Sequence, residues 1–209
     1  MSKGRSSPYA LAKGLAEKLI HSLEKYCDKM EIAGSIRRLK QIVHDIEIVA
    51  LVKEQAMDDL FGQPVEVTRT SLDDAIDLLW DNELLAWRYD KLKGGIKHKR
   101  LFHKHTGIQC DLYVVSDRRA WGSWLAVRTG PVGFSKFMMQ KALKLDMFFE
   151  DGFLLHNHKA PYERRGSSRC AYGAKCPKII PLPTEVMVFE ALKIPYLSPE
   201  QREVKFGIG

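Results

Sequence analysis

Three acidic residues of this 209-residue chain stand within apolar, β-branched segments. Asp45 and Glu47 are separated by Ile46 in one segment, and Asp111 follows Cys110 in another. Because side chains alternate along a strand, Asp45 and Glu47 would leave the same face of the strand while Ile46 enters the core. Two like charges side by side repel each other, and a hard divalent cation such as Mg²⁺ would stabilise both carboxylates. The residues therefore predict a site for metal-ion chemistry.

Simpler explanations exist for the same acids. Asp45 and Glu47 would be stable at the end of a strand if both carboxylates lay in water. Asp111 is flanked by apolar residues and needs a partner, because the burial of an unpaired carboxylate is costly, and a salt bridge would supply one. The residues alone leave the solvated strand end, the salt bridge and the shared metal site open.

A phosphate-binding turn is predicted at Gly34-Ser35, directly after the short predicted strand Glu31-Ile32-Ala33. A glycine lets the backbone approach a ligand closely, and the amides and the hydroxyl that follow it can donate to phosphate oxygens. A Gly-Ser pair occurs in many loops, so it supports a phosphate site only together with other features.

The charge of the chain is unevenly distributed. Its formal net charge is +7 and its pI is about 9.2, which favours polyanionic partners. Acidic residues gather between 54 and 83, whereas basic residues dominate 88–105 and 159–178. The basic segments are candidate phosphate-contacting surfaces, and solvated loops are the alternative for each. The predicted DNA contacts in the first segment are Lys97, Lys99 and Arg100.

Helices and strands must position these residues. Ser7-Pro8 is a typical helix start, with Ser7 as the N-cap, and the apolar spacing after it predicts a helix that ends near Asp28. A second helix is predicted over 71–85, with Ser71 as its cap. The remaining predicted strands are 45–52, 85–89, 99–103, 108–115 and pieces within 147–155, and the remaining predicted helices are 118–127, 134–145 and 184–192. A β-rich half is thus followed by a more helical one, with the division near Ser116.

The combination of motifs resembles the signature of a known enzyme superfamily. Gly34-Ser35, then Asp45-Ile46-Glu47, then a distant Asp111 in a strand is similar to the pattern of the polymerase β nucleotidyltransferases. Within that superfamily, Gly34 to Arg38 followed by Asp45 resembles the family X DNA polymerases. The similarity covers residues 9 to 205 with gaps. Its later segments are Arg128-Thr129-Gly130, Phe134-Ser135-Lys136, Pro183-Thr184-Glu185 and Ile194 to Glu200.

The resemblance implies a fold and a set of roles. The fold class would be α+β, with a polymerase β-like palm of mixed β-sheet and helices over 1–116 and a small C-terminal thumb over 117–209. Asp45, Glu47 and Asp111 would be catalytic and would hold two Mg²⁺ ions, for which Mn²⁺ can substitute. The implied nucleotide contacts are Gly34, Ser35, Arg38, Thr129, Gly130 and Ser135, and the implied DNA contact is Lys136.

The implied activity is that of a DNA polymerase, which transfers a nucleoside monophosphate from a nucleoside triphosphate to a DNA 3′-hydroxyl, as in short-gap repair. Two other hypotheses stay open. One is a template-independent or small-acceptor nucleotidyltransferase, and the other is a DNA-binding module that has lost catalysis. The expected partners are primer-template or gapped DNA and a nucleoside triphosphate, and we expect a monomer.

The sequence departs from the family pattern in four places. The resemblance begins with the palm, so the family's N-terminal lyase domain and fingers would be missing. Glu47 stands where the family usually has an aspartate. Gln109 stands where an arginine is common before the third acid, which would leave Asp111 less well oriented. Val127-Arg128 stands where an aromatic pair usually disfavours ribonucleotides, so the selection of the sugar is open.

Membrane and secretion signals are weak in this sequence. No run approaches the roughly 18 consecutive apolar residues that a membrane span needs, and Met1 to Ser7 lacks the apolar core of a secretory signal. We therefore expect a soluble, intracellular and cytoplasmic protein.

The four cysteines are too few for a disulfide scaffold. Cys27 and Cys110 fall within apolar patterns and are predicted to be buried thiols. The other two cysteines and two nearby histidines could form a zinc site, although their spacing is unusual for one. These four residues are His156, His158, Cys170 and Cys176.

Overall fold

The structure is a computed structural model of the chain, and it describes residues 6–53, 70–82, 84–87, 97–157, 170 and 172–203. The chain divides into two compact units, Met1–Ser116 and Asp117–Gly209. Their assignment as palm and thumb stays a prediction. In the part of the chain described, no helix is long and apolar enough to cross a membrane.

The first unit is built on a five-stranded mixed sheet. The described strands of this unit are β1 Ser7–Pro8, β2 Cys27–Ile32, β3 Ile42–Val43, β4 Asp45–Val52, β5 Leu85–Trp87, β6 His98–His103 and β7 Gln109–Val115. The sheet has the order β2-β4-β7-β6-β5, in which β4 and β7 are parallel and every other neighbouring pair is antiparallel. The two-residue strands β1 and β3 form a separate antiparallel pair.

Three helices accompany this sheet: α1 Tyr9–Leu23, α2 Gly34–Arg37 and α3 Ser71–Asp81. Apolar residues of α1 and α3 form one buried cluster with alternate residues of the central strands. The strand members of that cluster include Ile46, Ile48, Cys110, Leu112 and Val114. One face of the sheet is therefore the core, and the intervening residues of β4 and β7 face the other way. A mixed sheet with helices confirms the predicted α+β class.

The predicted starts of these two helices were each wrong by one residue. Ser7 belongs to β1, and Pro8 precedes α1 without a side-chain cap. At α3 the residue before the helix is Thr70 rather than Ser71, and the Asp73 carboxylate accepts hydrogen bonds from both the Thr70 amide and its hydroxyl at 2.9 Å. The sequence pattern identified both helices, but it did not identify the residue that precedes the first turn of each helix.

The first helix is also shorter than predicted. It ends at Leu23, a 3-10 turn follows at Glu24–Tyr26, and Cys27 then begins β2. Cys27 pairs with Val52 in the sheet, so tertiary pairing overrides the helical spacing of the apolar residues. The prediction of buried thiols is confirmed, since Cys27 is 6% and Cys110 2% exposed. This burial raises the pKa of Cys27 to about 11 and that of Cys110 to about 12.

In its described residues, the second unit combines three α-helices with a three-stranded antiparallel sheet, in the order β10 (Ile179–Ile180), β9 (Phe153–His156) and β8 (Met147–Glu150). Phe134, Met138 and Phe189 lie at the centre of its apolar cluster. The elements are α4 Trp121–Thr129, α5 Val132–Lys144, β8 Met147–Glu150, β9 Phe153–His156, β10 Ile179–Ile180 and α6 Glu185–Ala191. Short 3-10 helices at Arg118–Ala120, Gly173–Lys175 and Pro199–Glu203 connect or follow them.

A buried ion pair joins the end of the second unit to its core. The Arg202 side chain is fully buried, and its Nη1 lies 2.6 Å from Oε1 of Glu185. Nε and Nη2 of Arg202 donate to the carbonyl oxygen of Leu197 at 3.0 and 2.8 Å. The guanidinium also lies 5.0 Å from the ring centre of Phe189. The positive charge of Arg202 is thus balanced by the Glu185 carboxylate, and its other donors are hydrogen-bonded to the Leu197 carbonyl.

Candidate functional site

The sheet of the first unit brings the three predicted acids to one face. Glu47 of β4 lies opposite Asp111 of β7, and Asp45 lies opposite Gln109, because the two strands are parallel and in register. Directly paired residues point to the same side of a sheet, and alternate residues of one strand share a face. Asp45, Glu47 and Asp111 therefore share the face that α1 and α3 leave uncovered.

The charges of these acids act on one another. Burial raises the pKa of Asp45 above its usual value, and the negative charge of Asp111 raises it further. The positive charges of His44, Arg38 and Arg100 oppose this shift without cancelling it. Asp45 thus lies where an additional cation would be stabilising.

Asp111 is the most buried of the three acids, at 3% exposed, and it has three hydrogen-bond donors. Its Oδ1 accepts from Nε2 of His98 at 2.9 Å and from Nε of Arg100 at 3.0 Å, and its Oδ2 accepts from Nε2 of Gln109 at 2.5 Å. Burial alone would raise the pKa of Asp111, but these hydrogen bonds and the charge of His98 outweigh it and hold the pKa below its usual value.

These contacts answer two questions that the sequence left open. The salt bridge considered for Asp111 is present, with Arg100 as the partner. The expectation that Gln109 would leave Asp111 poorly oriented was wrong, because Gln109 itself donates to Asp111 and the neighbouring strand β6 supplies two further donors. His98 and Arg100 occupy alternate positions of β6, opposite Tyr113 and Asp111, which places both on the same face as the acids.

The Glu47 carboxylate accepts a hydrogen bond from a tyrosine and packs closely against a glycine. The Tyr113 hydroxyl donates to Oε1 of Glu47 at 3.3 Å. Gly34 has a φ of 60°, and a Cβ added to it would overlap the Glu47 carboxylate. A glycine is therefore required at position 34 both for its backbone conformation and for the space that Glu47 occupies. Sequence reasoning missed Tyr113, although alternation along β7 puts it on the face of Asp111.

The predicted phosphate ligands lie next to these acids. Ser35 follows Gly34 in α2, and its Oγ is buried and has no hydrogen-bond partner among the described residues. Such a hydroxyl is free to donate to a ligand oxygen, since a buried polar group without a partner is costly. Arg38 follows α2 directly, and its charge acts on Asp45. The roles of Gly34, Ser35 and Arg38 in nucleotide binding stay predictions.

The donor set fits a hard divalent cation in its chemistry. The three carboxylates share one face, and Asp45 is destabilised by the charge of Asp111. Among the residues that the structure describes, however, no group of three His, Cys, Asp or Glu side chains is already arranged as metal ligands. Asp111 is instead ion-paired with Arg100 and hydrogen-bonded to His98. A metal role for Asp45, Glu47 and Asp111 is accordingly a proposal.

The predicted DNA contacts of the first unit differ in their surroundings. Lys99 is 4% exposed and forms an ion pair with Asp73 on the core face, so it is not available to a phosphate, and the prediction for Lys99 is corrected. The guanidinium of Arg100 contacts Asp111 rather than solvent alone. Lys97 is exposed and stays a predicted DNA contact.

The predicted contacts of the second unit surround the junction of α4 and α5. Thr129 is fully buried, and Gly130 ends α4 with Phe134 occupying the space where a Cβ would lie. The Ser135 hydroxyl donates to the carbonyl oxygen of Val127 at 2.9 Å, which explains this serine structurally. Lys136 is exposed. The ligand-binding roles of Thr129, Gly130, Ser135 and Lys136 stay predictions.

The zinc hypothesis gains little from the structure. Cys170 and Cys176 are both buried and form no disulfide within the described residues, whereas His156 is exposed. His158 lies outside the described residues. No metal-binding group of three His, Cys, Asp or Glu side chains is found in the described part of the second unit.

Two known structures with a similar fold are complexes of a polymerase beta. No protein-family model and no curated protein sequence matches the chain. Leishmania infantum polymerase beta in a ternary gap complex is similar with a TM-score of 0.72 and 16% identity, over 96% of this chain and 71% of that chain. The ternary P/T complex of Leishmania infantum polymerase beta has a TM-score of 0.71 and 16% identity, over 97% of this chain and 78% of that chain. The similarity confirms the predicted resemblance to family X polymerases at the level of the fold.

Proposed function

We propose that this protein is a nucleotidyltransferase of the family X polymerase type. It adds a nucleoside monophosphate from a nucleoside triphosphate to the 3′-hydroxyl of DNA, and its role is short-gap repair. The observation that carries the proposal is the pairing of Glu47 with Asp111 on parallel strands, with Asp45 on the same face. The polymerase fold of the similar structures supports the same reaction class.

Asp45, Glu47 and Asp111 would hold two Mg²⁺ ions, for which Mn²⁺ can substitute. Divalent cations bound there would supply the positive charge that stabilises a triphosphate and lowers the pKa of an attacking hydroxyl. The raised pKa of Asp45 supports this assignment, because ionisation of this carboxylate is unfavourable until a bound cation compensates its negative charge.

The residues of the chain have distinct tasks in this reaction. Ser35 donates its hydroxyl, which has no partner within the described part of the chain, to a phosphate oxygen, and the Arg38 guanidinium binds the triphosphate through its planar donors. Asp111 accepts the proton of the 3′-hydroxyl. The bond from the 3′-oxygen to the α-phosphorus forms as the bond from that phosphorus to the leaving oxygen breaks, and pyrophosphate is released.

Lys97 and Lys136 are the proposed DNA contacts, because both are predicted from the sequence and both are exposed. Each exposed cation that neutralises a phosphate releases counterions, so binding to DNA should weaken steeply with salt. Thr129, Gly130 and Ser135 would contribute to the nucleotide site through the backbone around the end of α4.

The experiment is primer extension with purified protein and Mg²⁺ or Mn²⁺ on gapped, nicked, recessed and single-stranded DNA. We expect extension on every substrate that has a template strand, and the highest rate on a short gap. Asp111→Ala should abolish incorporation while DNA binding, measured by fluorescence anisotropy, persists. Absence of extension on all four substrates rejects the proposal. Incorporation that ignores the template base would instead favour a template-independent enzyme.

A further inference from the structure

The side of β6 that faces the candidate site carries two donors directed at one carboxylate oxygen. Arg100 lies opposite Asp111 in the antiparallel pair of β6 and β7, and His98 lies opposite Tyr113. Both side chains reach Oδ1 of Asp111, at 3.0 Å from Arg100 and 2.9 Å from His98. An ionised carboxylate can only accept, so both nitrogens carry a hydrogen in this arrangement.

The remaining oxygen of Asp111 is less occupied. A carboxylate has about four lone-pair sites, two on each oxygen. His98 and Arg100 take both sites of Oδ1, while Gln109 takes one site of Oδ2. Among the contacts made by the described residues, one site therefore remains, and it belongs to Oδ2. The arrangement fixes which oxygen of Asp111 is free to act.

The same strand also orders the neighbouring acid. The imidazole of His98 stacks on the ring of Tyr113, with the ring centres 4.6 Å apart and an angle of 14° between the planes. Tyr113 donates to Glu47 at 3.3 Å. The orientation of Asp111 and that of Glu47 are thus connected through His98.

We propose that Arg100, together with His98, is a positioning residue that holds Asp111 by Oδ1 and leaves Oδ2 to act in nucleotidyl transfer. The inference rests on the proposed function and assigns Arg100 a role other than the phosphate contact that the sequence suggested. Arg100 does not touch the substrate in this role, and it acts through Asp111. Its charge also lowers the cost of keeping Asp111 ionised in a buried position.

The test compares Arg100→Gln and Arg100→Lys with the wild-type protein. We expect Arg100→Gln to reduce kcat for single-nucleotide incorporation by about 10- to 100-fold, the usual effect of removing a residue that orients a ligand. The KM for the nucleotide and the Kd for DNA should stay unchanged. Arg100→Lys retains the charge and a donor, and it should recover part of the lost kcat. Lys13→Gln removes one positive charge from α1 and is the charge-matched control, with kcat unchanged.

A second measurement does not depend on catalysis. Free Mn²⁺, measured by electron paramagnetic resonance, reports binding of the ion alone to each variant. Because Arg100 is a positive charge beside a proposed ligand, its removal should leave Mn²⁺ binding as tight as in the wild type or tighter. A residue with a merely structural role would weaken Mn²⁺ binding and lower the Tm together.

The outcomes separate the inference from the proposed function. If the wild type extends primers and Arg100→Gln keeps its kcat but loses DNA affinity, Arg100 is a phosphate contact and the inference is overturned alone. Loss of Mn²⁺ binding in Arg100→Gln also overturns it. If the wild type extends no primer, the proposed function fails and the positioning role fails with it. Reduced kcat with unchanged DNA binding, and with Mn²⁺ binding at least as tight as in the wild type, establishes the role.

Discussion

The substitution Gly34→Ala tests whether the backbone of α2 and the Glu47 carboxylate depend on each other. Gly34 has a φ of 60°, in the left-handed region that costs an L-residue about 1–2 kcal/mol. The new Cβ would also overlap the Glu47 carboxylate, so that side chain must move. Residues in direct contact typically couple by about 0.5–3 kcal/mol. We therefore expect Gly34→Ala to destabilise the protein by about 1.5–5 kcal/mol, the sum of backbone strain and contact.

The assay is urea unfolding of four proteins: the wild type, Gly34→Ala, Glu47→Ala and the double variant. In the Glu47→Ala background the carboxylate is gone, so Gly34→Ala should cost only the backbone term of about 1–2 kcal/mol. The slope of the unfolding free energy against urea should stay the same, because the surface exposed on unfolding changes little. Gly34→Ala should also lose primer extension, since Glu47 is displaced.

Gly14→Ala is the matched control. Gly14 lies inside α1, where an added Cβ meets nothing within 4 Å. Alanine is favoured over glycine in a helix by about 0.5–1 kcal/mol, so the same substitution should stabilise the protein here. An equal cost of Gly34→Ala with and without the Glu47 carboxylate would falsify the contact argument. A change below about 0.5 kcal/mol would refute the backbone argument as well.

Three further predictions concern single side chains. Arg202→Met should destabilise the protein by about 3–5 kcal/mol in urea unfolding, because it leaves Glu185 buried without its partner, and a smaller loss in a Glu185→Gln background would show their coupling. Tyr113→Phe should cost about 0.5–1.5 kcal/mol and reduce primer extension, since it removes the hydrogen bond to Glu47; unchanged kcat would exclude a role for that bond. Asp45 has a raised pKa, so its ionisation lowers the stability of the fold as pH rises through its unfolded and folded pKa values. Asp45→Asn should therefore stabilise the metal-free protein at pH 7, and this gain in stability should disappear in acid. Thermal melts from pH 7 into acid measure it, and a difference in Tm that stays constant with pH would contradict the argument.

The sequence predicted the shared face of Asp45 and Glu47, because alternation along one strand is a local property. It did not predict the pairing partner of Glu47, because register between strands depends on the whole sheet. Lys99 shows the same limit: its charge suggested a DNA contact, but its position in β6 places it on the core face with Asp73.

The polar support of Asp111 was the least predictable part of the site. The sequence shows Gln109 two residues away, and it was interpreted as a loss of orientation. The donors His98 and Arg100 come from a separate strand, and only the register of β6 with β7 brings them to Asp111. Alternation along β7 predicts that Tyr113 shares the face of Asp111. Tyrosine is also common in buried strands, so its presence there does not by itself indicate a contact with Glu47.

The parallel pairing of β4 with β7 also bears on the order of folding. Glu47 and Asp111 are neighbours in the sheet but 64 positions apart in the chain, and the segment between them includes α3, β5 and β6. Contacts of such long sequence separation form slowly, because the loop must close before pairing compensates its entropy. We expect amides of β4 facing β7 to gain protection late in pulse-labelled hydrogen exchange, after those in α1; simultaneous protection would contradict this order. The negative charges of Glu47 and Asp111 would then come together only after the rest of the sheet has formed and can offset their repulsion.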